Sequence, residues 1–309
     1  MSLLQNNRFR LLILGIIIIF LIKFNFTDNK IQNKNNVQQK ENLCNRSMIE
    51  SDQLICESDE KWQQRRDFYS QQHDKNILTM NEYENYFYKN WFPEFQCQNE
   101  IRLGQGDGGK WACEIAYLKS KSPCLIYSLG SDGNFQFEEA VHKLLPHCSI
   151  HTIDMRYFQC PNDVCRFHQV KLGNGQNQTK TLRQLMTELN QTNFEIDILK
   201  IDIEYGEYVL FHTFFSNNAI NQIFKPVYIR QILIVRKKKS FETFQFHTVL
   251  FSQEVHLDRD RIIETNALFY LFNSQNYVIY HRELNPGFPY YACEFGLLKL
   301  NRKFLRGHF

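Results

Sequence analysis

The sequence lacks a strong excess of either charge: 36 Lys and Arg stand against 33 Asp and Glu, for a formal net charge of +3 in 309 residues. A nucleic-acid surface needs a dense basic face interleaved with stacking aromatics. The one basic run, RKKK at 236–239, is too short to supply it, so nucleic acid is not expected as a partner. The chain has no C-x-x-C pair matched by a second, which argues against structural zinc, and no metal is expected. It also lacks the full G-x-G-x-x-G fingerprint of a dinucleotide site. Finally, its one long apolar run is followed by Lys23, Phe24, Asn25 and Phe26, so no small-residue cleavage site follows it.

What is present begins with that run. Residues 11–22 (LLILGIIIIFLI) follow Arg8 and Arg10, and 1–26 reads as an uncleaved signal anchor with the arginines cytoplasmic. The rest of the chain is then lumenal, in the endoplasmic reticulum or Golgi; a cleaved signal and secretion is the alternative. Residues 27–40 are rich in Asn, Gln and Lys and cannot offset their ordering entropy, so 27–75 is assigned to a polar stem and 76–309 to the folded domain. Four N-x-S/T sequons begin at Asn25, Asn45, Asn177 and Asn190. The nine cysteines suit an oxidising compartment, with Cys97–Cys113 and Cys160–Cys165 as the proximal pairs and at least one thiol left over.

Residues 123–139 (PCLIYSLGSDGNFQFEE) organise the domain. A short apolar strand at 125–129 runs into a turn holding Gly130 and Gly133, then into an amphipathic helix. Such a junction presents free N–H groups, and its glycines admit a ligand. The candidate binding residues are therefore Gly130, Ser131, Asp132, Gly133 and Asn134. The next strand, SIHTID, ends in Asp154, about 20 residues on, where a carboxylate can accept from both hydroxyls of a ribose. Beyond it, strands are expected at 164–171, 194–202, 228–234, 277–282 and 293–300. Helices are expected at 181–190, behind a Thr181/Gln184 capping box, and at 208–215 and 259–272. A further helix with aromatic spacing, 79–91, has Thr79 and Glu82 as its capping box.

Alternating strands and helices argue for an α/β fold, a three-layer Rossmann-like sheet with ligands beyond the carboxyl ends of its strands. Asp202-Ile203-Glu204 stands at such an end, and strand alternation would point both acids the same way. They are the candidate catalytic residues, able to hold a charged ligand end or a divalent cation, or to take a proton. A glycine-rich loop at 104–110 could lid the pocket, which adds Asp107 to the cofactor residues.

The runs WFPEFQC, GDGGKWAC, PCLIYSLGSDGNFQFE, HTID, DILKIDIEYGE and CEFGLLKL, in that order, resemble the methyltransferase-like domain family of animals related to FkbM-type methyltransferases. The resemblance spans residues 91–300. It implies a class I fold with a seven-stranded, mostly parallel sheet, S-adenosylmethionine as cofactor, in-line methyl transfer to an acceptor hydroxyl or amine, and frequent attachment to an N-terminal membrane anchor. It does not name the acceptor. A binding protein without turnover is a second reading. A third is a lumenal glycosyltransferase using Asp258 and Asp260 as a D-x-D, a pattern that also caps helices.

One segment conflicts with the fold. QILI at 231–234 would continue naturally as EVHL at 254–257, and nineteen residues, 235–253, stand between them. Their ends, Val-Arg-Lys-Lys and Phe-Ser-Gln, are compatible with intron borders. Removing the segment takes out four basic residues and Glu242 and brings the formal charge from +3 to 0. A retained intron and a genuine surface insertion are the two readings.

Overall fold

The computed structural model describes residues 44–73, 86–203, 206–220, 227–237, 257–285 and 292–301. The apolar run at 11–22, the capping box at 79–82 and residues 238–253 of the interrupting segment lie outside the described residues. No helix among the described residues is long and apolar enough to cross a membrane.

In chain order the helices are α1 (Asn45–Glu50), α2 (Asp59–His73), α3 (Tyr86–Lys89), α4 (Ile115–Leu118), α5 (Gln136–Leu144), α6 (Leu182–Glu188), α7 (Glu207–Ile220) and α8 (Leu257–Ser274). The strands are β1 (Glu100–Leu103), β2 (Lys110–Cys113), β3 (Leu125–Leu129), β4 (Ser149–Asp154), β5 (Arg166–Gln169), β6 (Ile196–Ile201), β7 (Ile229–Lys237), β8 (Tyr277–Leu284) and β9 (Ala292–Lys299). β1 and β2 form an antiparallel hairpin, and the other seven strands form one sheet in the order β5-β4-β3-β6-β7-β9-β8. Its first five strands are parallel and β9 is antiparallel to both its neighbours. This is the mostly parallel seven-stranded α/β sheet expected.

β3 and β6 are buried along their whole length, as parallel strands covered on both faces must be. Their side chains divide with period two. Leu125, Tyr127 and Leu129 join Leu199, Ile201, Ile232 and Ile234 under α6, α7 and α8. Ile126, Ile198 and Leu233 face the opposite way, under α5, the hairpin and the N-terminal segment. The first face is aromatic: Phe211, Phe215, Phe269 and Phe272 interlock with centroid separations of 4.8 to 6.5 Å.

The polar stem expected over 27–75 does not extend through Cys44. Residues 44–73 form α1 and α2, a Cys44–Cys56 disulfide crosslinks them, and Leu54, Ile55 and Trp62 enter the second core. Trp62 is 2% exposed and meets Phe95 edge to face at 5.8 Å. Average composition hides this, because three apolar anchors in a polar stretch are enough when a crosslink lowers the entropy of the unfolded segment. The pairs Cys97–Cys113 and Cys160–Cys165 form as expected, joined by Cys124–Cys148, and Cys293 is the buried free thiol. Burial pushes that thiol up to about 12.

The interrupting segment begins inside β7. Val235, Arg236 and Lys237 continue the strand and pair with Glu294, Cys293 and Ala292 of β9. They occupy the ladder positions that EVHL was expected to fill.

Between β4 and β5, the His151 and His168 rings stack at 5.1 Å, with His151 Nδ1 2.9 Å from His168 Nε2. His151 Nε2 lies 2.8 Å from Gln191 Nε2 and 3.0 Å from Ser149 Oγ. Burial, then the neighbouring His168 and Arg166, lowers His151 to about 4, and burial also lowers His168. Each folded value lies below the unfolded one, so the unfolded chain takes up protons first as pH falls. Stability present at neutral pH is therefore lost progressively from about pH 6.5 toward 4. Urea denaturation should show a fall of roughly 2 kcal/mol between pH 7 and 5, and His151→Asn should flatten that decline.

Candidate functional site

The register brings three strand ends level. Leu129 pairs with Ile153 on one side and Ile201 on the other, so the residues that follow, 130–134, 154–156 and 202–203, leave the sheet together. Gly130 N–H donates to the Ile153 carbonyl and Asp202 N–H to the Leu129 carbonyl, both at 2.8 Å. Gly130 has φ of +77°, and a Cβ there would lie 1.8 Å from the Asp202 carbonyl oxygen. Only glycine lets the turn pass so close to β6's continuation. Asp132 also takes the left-handed region, at φ of 48°, which aspartate tolerates better than most residues.

Asp154 secures this turn. Its Oδ2 accepts from Ser131 N–H and Asp132 N–H at 3.0 Å each, and its Oδ1 accepts from Arg156 N–H at 2.9 Å. The sequence assigned this carboxylate to a ribose. The structure gives its first three hydrogen bonds to the chain itself, although it still lines the cavity. A carboxylate offers about four lone-pair sites, so holding the turn and meeting a ligand are compatible.

The cavity beyond the strand ends measures about 460 Å³, within the range of small-molecule sites. Gly130, Ser131, Asp132, Asn134, Asp154 and Asp202 line it. Gly133 belongs to the turn but faces Phe158, whose Cδ1 would be 3.0 Å from an added Cβ. Asp132 pairs with Arg156 at the exposed rim. Asp107 sits in the 3-10 turn Gly106–Gly108 of the hairpin; its neighbour Gly108 lines the cavity, and its own side chain lies outside the described residues. A Cβ on Gly108 would lie 2.7 Å from Asn134 Nδ2, so the glycine-rich hairpin turn does lie directly over the strand-to-helix turn.

β6 ends at Ile201 and Asp202 lines the cavity just beyond it, while Glu204, the other acid of the expected pair, lies outside the described residues. The chain leaves the sheet at Asp202 because β6 must diverge there to clear Gly130. Glu207 stands in the first turn of α7, where an acid suits the helix dipole. Asp258 and Asp260 fall within the first turn of α8, and their side chains lie outside the described residues.

Reading the sequence for ligands missed two buried lysines on the cavity wall, Lys110 and Lys200. Lys200 Nζ donates to the Gly130 carbonyl, rather than simply pairing with Asp202. Burial lowers its pKa, while Glu138 and Asp202 pull it back up. Glu138, fully buried on α5, accepts from Thr152 Oγ1 at 3.2 Å. The period-two step from Asp202 was the one signal for Lys200. For Lys110 the signal was its place at the end of the glycine-rich loop expected over the pocket; what the sequence did not show is that hairpin docking buries it on the cavity wall. Gln231 on β7 does that docking: its Oε1 accepts from Cys113 N–H at 2.9 Å and its Nε2 donates to the Cys113 carbonyl at 2.6 Å.

The family described as Methyltransferase domain matches residues 52–299. No curated protein matches the chain. Among solved structures, one described as a ribosomal RNA methyltransferase from Plasmodium falciparum is similar at a TM-score of 0.36 and 10% identity, covering 60% of this chain and 91% of that one.

Gly130→Ala should be the most damaging small substitution in the domain. It combines a backbone collision with a positive φ, and a loss of about 3 kcal/mol or more is expected in a denaturant titration. Gly206→Ala, where the nearest atom to the added Cβ is the flexible Ile203 Cδ1 at 3.1 Å, should cost far less.

Proposed function

Since the chain belongs to the methyltransferase domain family, matched over residues 52–299, we propose that it transfers a methyl group from S-adenosylmethionine to a hydroxyl or amine of a lumenal acceptor. The observation that carries this is the cavity at the carboxyl edge, walled by the Gly130 turn on one side and Asp202 on the other. The residues suit the cofactor. Gly130 admits no side chain, the turn's N–H groups are held in place by Asp154, and Met155 offers apolar surface beside it. The motif order from WFPEFQC to CEFGLLKL supports placing the chain in the FkbM-related branch found in animals.

Bound there, S-adenosylmethionine supplies an electrophilic methyl on a cationic sulfur. The chain's part is to align the acceptor and remove its proton. Asp202 is a carboxylate that lines the cavity at the end of β6, and it takes the proton as the new bond forms. Binding should be visible by calorimetry on the full chain. In Asp202→Asn, S-adenosylmethionine affinity should change by less than about threefold while turnover falls by about a hundredfold or more. Equal turnover in the folded variant would remove Asp202 from the mechanism.

The lumenal setting is supported by four disulfides, which use eight of the nine cysteines and would not persist in a reducing cytosol. We place residues 1–26 as the anchor of a type II membrane protein. Asn177 and Asn190, each opening a sequon, are exposed and sit in left-handed turns with φ of 48° and 56°. Protein from a secretory expression host should lose mass on glycosidase treatment, with the shift removed by Asn177→Gln and Asn190→Gln together. A cytosolic protein would show no shift.

A further inference from the structure

A cofactor that ends in an amino acid brings a carboxylate into the site, and the cavity wall has four cations to meet it: Lys110, Arg156, Lys171 and Lys200. Three have other settings. Arg156 is largely exposed and bound to Asp132 at the rim. Lys171 is exposed. Lys200 donates to the carbonyl of the turn it supports and is under the influence of Glu138, Asp202 and Asp154.

Lys110 also donates to a carbonyl of its own turn, that of Gly109 at 3.1 Å, but it comes to the cavity from the hairpin rather than from the main sheet. It is 2% exposed, yet it lines the cavity from the hairpin side. Its residue neighbours are fixed independently: Cys113 by Gln231 and by the disulfide to Cys97, and Trp111 by Tyr280, whose hydroxyl donates to the Trp111 carbonyl at 2.9 Å. Trp111 Nε1 also donates to Glu283 at 3.0 Å. The strand carrying Lys110 is therefore rigid, which is what a specificity group requires.

Glu294, at the start of β9, holds the ammonium from behind, Oε1 to Nζ at 3.0 Å. Its other oxygen, Oε2, is buried and has no hydrogen-bond partner among the described residues. Burial raises the Glu294 pKa, with Lys110 and Arg102 opposing. A buried ion pair is a poor source of stability in itself, and a half-satisfied one is poorer still. Its placement on a ligand wall points to a use beyond stapling the hairpin.

We propose that Lys110 receives the carboxylate of the cofactor's amino-acid end and that Glu294 is the positioning residue that aims it. This rests on the cofactor reading above. Lys110 then decides between an adenosyl amino acid and other adenosyl thioethers, a choice that calls for a cation, which the turn 130–134 does not carry.

The test is calorimetric titration of the full chain with S-adenosylhomocysteine and with methylthioadenosine, which shares the adenosyl thioether and lacks the amino-acid end. The wild type should prefer the first by about tenfold or more. Lys110→Met should erase most of that preference, weakening S-adenosylhomocysteine about tenfold and methylthioadenosine by less than about twofold. Glu294→Gln should reduce the preference in part. An equal loss for both ligands, or no loss, would overturn the assignment and leave the pair a structural staple. Should Lys110→Met fail to fold, decarboxylated S-adenosylhomocysteine gives the same answer on the wild type: weaker binding than the parent supports the carboxylate seat, and equal binding overturns it. If the wild type binds no adenosyl compound, the cofactor reading falls and this one with it; if it binds all of them equally, this one falls alone.

Discussion

The structure depends on one close approach, that of Gly130 to the Asp202 carbonyl, where an added Cβ would stand 1.8 Å away. Adjacent parallel strands cannot both turn away from the sheet at the same level unless one gives up its side chain. Gly130 does so, and the space opened between the diverging ends becomes the cavity. Two further interactions preserve the opening. The Asp154 carboxylate draws in the N–H groups of Ser131 and Asp132, and Lys200 reaches across from β6 to the Gly130 carbonyl. The site is thus built by a backbone constraint first and by charge second.

The two faces of the sheet are stabilised differently. α7 and α8 lay interlocked phenylalanines on one face, and burial of rings that size needs little help. The other face is covered by α5, α4, the β1–β2 hairpin, Trp62 of α2 and the segment around Phe95. Cys97, Cys113, Cys124 and Cys148 belong to that core, and their crosslinks restrict the unfolded chain where individual elements bury little apolar area. The N-terminal segment is also tied by charge. Arg230 on β7 binds Asp52 and lies 5.0 Å over the Tyr117 ring. This face therefore relies on its disulfides more than the phenylalanine face does.

The central parallel strand was legible because burial on both faces leaves a near-continuous apolar run, and CLIYSL shows it plainly. Asp154 was legible by spacing from Gly130, yet its immediate partners were not, since a sequence does not reveal that a turn will fold back onto its own acid. Alternation along a strand holds only while the strand lasts, and β6 ends at Ile201, one residue before Asp202. The polar composition of 44–73 likewise concealed Trp62, which matters through what it meets rather than through its surroundings in the chain.

By itself the sequence determined the order of strands and helices, the glycine turn with its acid, and a thiol content that calls for disulfides. These depend on local periodicity, backbone freedom and composition, all of which act over a few neighbouring residues. Only the tertiary structure decided that Lys110 stands on the cavity wall with Glu294, 184 residues away, behind it. That meeting is produced by the docking of a hairpin on β7 and by the antiparallel return of β9, and no local rule carries information across so long a separation.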